Sequence, residues 1–93
     1  MSEENISNEE LGMTFPCHFP LKVMGTNNDS FEQDMVMIVR KHVSNLGEGA
    51  VSSKPSKTGK YLALTISFTA DSREQLDKIY SELNAHPDVK MTL

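Results

Sequence analysis

Three histidines, one cysteine, and a few glycines and lysines are the side chains with which this sequence could do chemistry. His18, His42 and His86 never stand four residues apart, so no helical turn offers two of them to one metal, and no H-E-x-x-H pattern occurs. Cys17 directly precedes His18. Neighbours on a strand point to opposite faces, so this pair does not make a nucleophile with its base there. Cys17 shares the parity of the apolar set and reads as a buried or half-buried, inert thiol. His42 falls in an apolar stripe near a helix end, where an imidazole can reach the last backbone carbonyls. Gly59-Lys60 is similar to the end of a phosphate-binding loop, but Lys54 stands where that loop needs its first glycine and Tyr61 where it needs Ser or Thr. Gly47-Glu48-Gly49 follows a helix instead of opening one, unlike a dinucleotide fingerprint. These residue types at these spacings point to no catalytic, metal-binding or cofactor-binding set, and the expectation is a protein that is not an enzyme.

Two stretches have the makings of a binding site. From Gly49 to Ala70 there is no acidic residue, while Lys54, Lys57 and Lys60 fall around one turn with Ser52, Ser53, Ser56 and Thr58. Such a local positive patch suits an anionic ligand or an acidic partner surface. The same lysines, with Pro55, also protect a sheet edge from further pairing. The second stretch is Gly25, Thr26, Asn27, Asn28 and Ser30, which joins a strand to the start of a helix. Free backbone N–H groups at such a junction bind carboxylate or phosphate, unless Asp29 or Ser30 caps them.

The elements that must position these residues follow from periodicity. In Lys60–Thr69, Leu62, Leu64, Ile66 and Phe68 recur at every second position, which predicts a central strand with one buried face. Phe15–Met24 predicts a first strand, with Pro16 and Pro20 placing its early half at a sheet margin or outside the pairing. Gly25–Asn28 is expected to break it as a turn. Phe31, Met35, Ile38, Val39, His42 and Leu46 form a helical stripe that ends at Gly47 and Gly49. Val51–Ser56 predicts a short edge strand. Asp71 is the expected N-cap of a second helix, with Glu74 at the capping-box position and a stripe of Leu76, Ile79, Tyr80 and Leu83. His86-Pro87 ends that helix. Val89, Met91 and Leu93 alternate as a last strand. The order is strand–helix–strand–strand–helix–strand, which predicts an α+β, ferredoxin-like βαββαβ fold. Right-handed crossovers place both helices on one face of a four-stranded antiparallel sheet. The expected core includes Val89 and Met91. The other face, carrying Lys22, Met24, Tyr61, Ala63, Thr65 and Ser67, has no helix to cover it and is open to solvent or a partner.

Charge narrows the function classes. Of 13 acidic side chains, four lie in residues 1–14, which hold no Lys or Arg; residues 15–93 are balanced against nine basic ones. Residues 1–14 are expected to form an acidic, mostly disordered tail, with Ser7 and Glu10 able to cap one short turn. Residues 15–93 read as a single domain. A neutral body without a basic stripe, and an outward sheet face with Tyr61 alone as aromatic platform, make nucleic-acid binding unexpected. No apolar run approaches the length of a membrane span, and the polar N-terminus does not read as a secretory signal. One cysteine excludes an internal disulfide. Together these predict a cytoplasmic protein.

Phe15-Pro16, Phe19 with Lys22-Val23-Met24-Gly25, Lys54-Pro55-Ser56 with Gly59 and Tyr61, Glu74-Gln75-Leu76, Tyr80, Leu83, Val89 and Met91-x-Leu93 together carry a likeness. Across residues 15–93 the chain resembles the YbeD-like family of small bacterial proteins. The resemblance implies a ferredoxin-like fold similar to the ACT regulatory domains of amino-acid-metabolism enzymes. It implies no established activity. Genes of the family often neighbour those for lipoate attachment, which implies a link to lipoate metabolism by association. ACT domains bind small effectors near the first strand–helix turn, usually between paired domains; this chain has Gly25 there without the Asp-x-Pro-Gly turn many of them use. The leading expectation is a regulatory or adaptor domain that works through contact with a protein partner, with a homodimer as one arrangement. The alternative is a sensor of amino-acid or carboxylate effectors at Gly25–Ser30.

Overall fold

The computed structural model describes residues 14–47 and 49–93; the expected acidic tail, with its Ser7–Glu10 turn, lies outside them except for Thr14. In chain order the elements are β1 (Cys17–Thr26), α1 (Phe31–Arg40), β2 (Val51–Pro55), β3 (Tyr61–Ala70), α2 (Arg73–Ala85) and β4 (Val89–Thr92). The four strands form one antiparallel sheet in the order β2-β3-β1-β4. Both helices lie on one side of it, and the ferredoxin-like expectation holds.

The parity of β3 decides which side. Leu64, Ile66 and Phe68 are buried, and Leu62 is half-buried, as period-two alternation requires. Leu21 and Val23 of β1 join them from the neighbouring strand. Phe31, Met35 and Val39 of α1 and Leu76, Ile79 and Leu83 of α2 complete the same core. Truncating any one of the large residues to Ala is expected to cost about 2–5 kcal/mol, the usual range when a buried aliphatic side chain leaves a cavity.

One expectation is narrowed to a single alternative and three change in detail. Of the two alternatives that Pro16 and Pro20 leave for the early half of β1, the structure has the sheet margin: β1 pairs with β3 from Cys17↔Ala70 to Thr26↔Tyr61, and its early half is open on its other side. The reason lies in the direction of the missing donor. The Lys22 N–H and carbonyl both bond Leu93 on the β4 side. Alternation sends the Pro20 nitrogen the same way. Yet β4 pairs with β1 only at Val23–Gly25, so no ladder bond is lost there.

Gly25 is a strand residue, not part of a turn. A Cβ on it would collide with the Asp88 carbonyl and the edge of the Phe31 ring. It is glycine because α1 and the α2–β4 connection close over it.

The first helix stops at Arg40, well before Leu46. The His42 N–H turns back to the Val39 carbonyl, three residues away, which tightens the coil. The side-chain amide of Gln75 takes the His42 carbonyl at 2.7 Å. Val43, Ser44 and Asn45 are poor continuations of a helix.

The second helix is capped by Ser72, whose Oγ accepts from the Gln75 N–H at 3.1 Å. Gln75 Oε1 in turn accepts from the Asp71 N–H at 2.7 Å. The cap is thus shifted by one residue from the expected Asp71–Glu74 pair, with Gln75 reaching the N–H just before the cap residue.

Candidate functional site

The uncovered face is built by register. Met91 of β4 pairs with Met24 of β1, Met24 with Ala63 of β3, and Ala63 with Lys54 of β2. These four form one row running across all four strands. A second row lies beside it. Leu93 bonds Lys22, Lys22 pairs with Thr65, and Thr65 with Ser52. Side chains in both rows point away from the helices, because each is one position off the core set.

The two rows line a groove of about 380 Å³. Ala63 is the smallest side chain in either row and leaves the most room between the walls. Met24, Met91 and Leu93 form an apolar wall toward β4. Ser52, Lys54 and Thr65 form a polar wall toward β2. Met91 and Leu93 are 48% and 72% exposed, so this wall leaves apolar surface in water. No acidic residue lines the groove. Lys22 and Lys54 make no ion pair among the described residues.

Met91 was expected in the core and is instead on this open face. The pairing slips between Met24 and Gly25: Met24 faces Met91, but Gly25 faces Val89. The extra residue is a β-bulge, and beyond it every side chain of β4 changes face. Val89 stays toward the helices, as expected. Thr92 takes the core-side position opposite Val23, and its hydroxyl donates to Asn84 Oδ1 of α2 at 3.3 Å. Leu93 is held at the groove by Tyr80, whose hydroxyl donates to the Leu93 carbonyl at 2.8 Å. Burial pushes the Tyr80 phenol above the usual tyrosine range.

Lys22, Met24, Ala63 and Thr65 therefore come together as expected, while Tyr61 lies on the same face beyond the groove. The Lys60 ammonium sits 5.6 Å from the centre of its ring. The lysine patch is divided. Lys54 belongs to the groove, whereas Lys57 and Lys60 stand on the hairpin turn past the end of β2.

At Gly25–Ser30 the N–H groups of Thr26, Asn27, Asn28 and Ser30 are already used within the chain. The Thr26 N–H goes to the Asp88 carbonyl, the Asn27 N–H to the Lys60 carbonyl, and the Asn28 N–H to the Thr26 carbonyl. Asn28 Oδ1 accepts from the Ser30 N–H at 3.1 Å, and Asn28 Nδ2 donates to Asp88 Oδ2 at 3.1 Å. Asn27 Nδ2 donates to the Gly59 carbonyl at 2.9 Å. Ser30 is the N-cap residue but makes no side-chain cap bond. The loop is a knot tying the hairpin turn to the α2–β4 connection, and Gly25 stands outside it in the strand.

Two of the histidines, His42 and His86, serve the same tying role, while His18 is exposed on β1. His86 Nε2–H donates to Asp34 Oδ2 of α1 at 3.0 Å, while its Nδ1 accepts from the Asp88 N–H at 3.1 Å. His42 reaches Glu82 of α2 at 2.6 Å, not backbone carbonyls as expected. Lys41 meets the other oxygen of the same carboxylate at 2.7 Å. Hydrogen bonds from Lys41 first and His42 second hold Glu82 below the usual glutamate range. Cys17 is half-buried against the core. Among the described residues no three His, Cys, Asp or Glu side chains gather as a metal site would need, and no helix is long and apolar enough to cross a membrane.

Residues 10–93 match the family described as "Protein of unknown function (DUF493)". A UPF0250 protein of Chromobacterium violaceum is 48% identical over 79 residues, covering 85% of this chain and 89% of that protein. One from Paraburkholderia phytofirmans is 43% identical, covering 92% and 96%. One from Leptothrix cholodnii is 41% identical, covering 97% and 99%. The solution structure of protein HP0495 from H. pylori superposes with a TM-score of 0.71 at 15% identity, covering 100% of this chain and 94% of that one. That structure bears on the fold alone. The UPF0250 relatives agree with the YbeD-like likeness read from residues 15–93.

Proposed function

The chain belongs to the DUF493 family of proteins of unknown function, and within it we propose a non-enzymatic regulatory or adaptor domain that works by protein contact across the open sheet face. One observation carries this reading. Four strands present an apolar wall of Met24, Met91 and Leu93 beside two cations, Lys22 and Lys54, that have no partner of their own among the described residues. Exposed apolar surface rimmed by polar groups is what protein contact sites look like. The effector-sensor alternative has less support, since Thr26, Asn27, Asn28 and Ser30 spend their N–H groups on the fold. The lipoate association of the family suggests proteins of lipoate attachment as the first partners to try, in a cytoplasmic setting.

The test is affinity capture with two variants. Ala63→Arg fills the groove from an exposed position. Met37→Arg places the same charge on the outer surface of α1, where Met37 is 56% exposed. With circular dichroism showing both variants folded, a partner held by the native chain is expected to be lost by Ala63→Arg and kept by Met37→Arg. Retention by Ala63→Arg would count against the sheet face.

A further inference from the structure

The groove also says what kind of segment it holds. We propose that it selects partner segments in which an aliphatic side chain is flanked by carboxylates two residues away on each side. This rests on the protein-contact reading and adds to it a charge and a spacing.

The argument starts from the lattice of the sheet. Lys54 shares a row with Ala63 and Met24, and Lys22 lies two residues along β1 from Met24. Strands about 4.8 Å apart and a rise of about 3.4 Å per residue place the two lysine positions roughly 12 Å from each other, diagonally across the groove. Ala63 and Thr65 of the middle strand lie between them, with Met24 beside Ala63. In an extended segment, residues i, i+2 and i+4 share one face and span about 13 Å. An aliphatic residue at i+2 then seats over Ala63 against Met24 and Met91. Carboxylates at i and i+4 reach Lys22 and Lys54. The hydroxyls of Ser52 and Thr65 remain for the segment's polar groups.

Charge decides against a second copy as the occupant. A two-fold, face-to-face pair would set this surface against itself. It carries Lys22 and Lys54 and no acidic side chain to answer them. Like charges meeting across an interface oppose association.

The probes are two capped pentapeptides, glutamate–serine–leucine–serine–glutamate and its counterpart with lysine at both ends. Each is titrated into the full ¹⁵N-labelled chain at low salt while the amide signals are followed. The acidic peptide is expected to shift Met24, Ala63, Thr65 and Met91 with roughly tenfold or greater preference over the basic one, a preference that falls as salt rises. The double variant Lys22→Glu with Lys54→Glu, at two exposed positions, is expected to reverse that preference. Equal response to both peptides would overturn the charge assignment while leaving the contact face in place. So would a preference unchanged in the double variant, or shifts of the same amides with protein concentration alone. Failure of the contact face itself is read separately, by capture that is unaffected by Ala63→Arg.

Discussion

Gly25 shows how much one residue fixes. It is not glycine for the sake of a turn. It leaves room for the Phe31 ring and the Asp88 carbonyl, and so lets α1 and the start of β4 close over β1. Gly25→Ala inserts a methyl where backbone and an aromatic ring already stand, so neither can give way cheaply. The expected cost is about 1–3 kcal/mol, the usual range for overpacking a well-filled site. A urea midpoint close to that of the native chain would contradict the packing described. The glycine was legible in the sequence, but its meaning was not. A glycine after a run of alternating residues fits either a turn or a bulge with close backbone approach. Only the position of Phe31, six residues on, separates the two.

Helix ends show a similar balance. The stripes of α1 and α2 were readable because burial repeats with the helical period. The end of α1 was not, because partners distant in sequence reinforce it, whereas His86-Pro87 marked the end of α2. Gln75 takes the His42 carbonyl and so reinforces the stop of α1. Glu82 draws Lys41 and His42 to the side of α2. The sign of the pH effect at this tie follows from Glu82. Its folded carboxyl is held below its ordinary value by those two partners. A depressed carboxyl contributes stability above its unfolded pKa and loses it as pH falls through the folded one. Glu82→Gln is therefore expected to be less stable than the native chain near neutral pH. The gap should close as pH falls below roughly 4, the ordinary glutamate value. Urea titrations of both proteins across that range check it. A gap that stays constant with pH would show that the Glu82 charge does not contribute.

At the scale of the whole molecule, the element order with right-handed crossovers was enough to predict two helices on one side and an open face on the other. It was not enough to predict what that face carries. A single bulge opposite Gly25 moved Met91 out of the expected core. With Leu93 it turned a face of mixed character into one with an apolar wall. Period two has no memory of an inserted residue, so the strand's own pattern could not reveal the slip. The lysines of the hairpin, close in sequence, were separated for a related reason. Lys54 is in the last turn of the ladder before the strand ends, and Lys57 is past it. The most direct measurement replaces Ser52, in the groove, with a photoreactive phenylalanine, and separately replaces Met37 on α1, each in the full chain in its native cell. Illumination is expected to join position 52 to a discrete protein partner and to leave position 37 without that product. The same product from position 37 alone, or none from position 52, would contradict the open sheet face as the working surface.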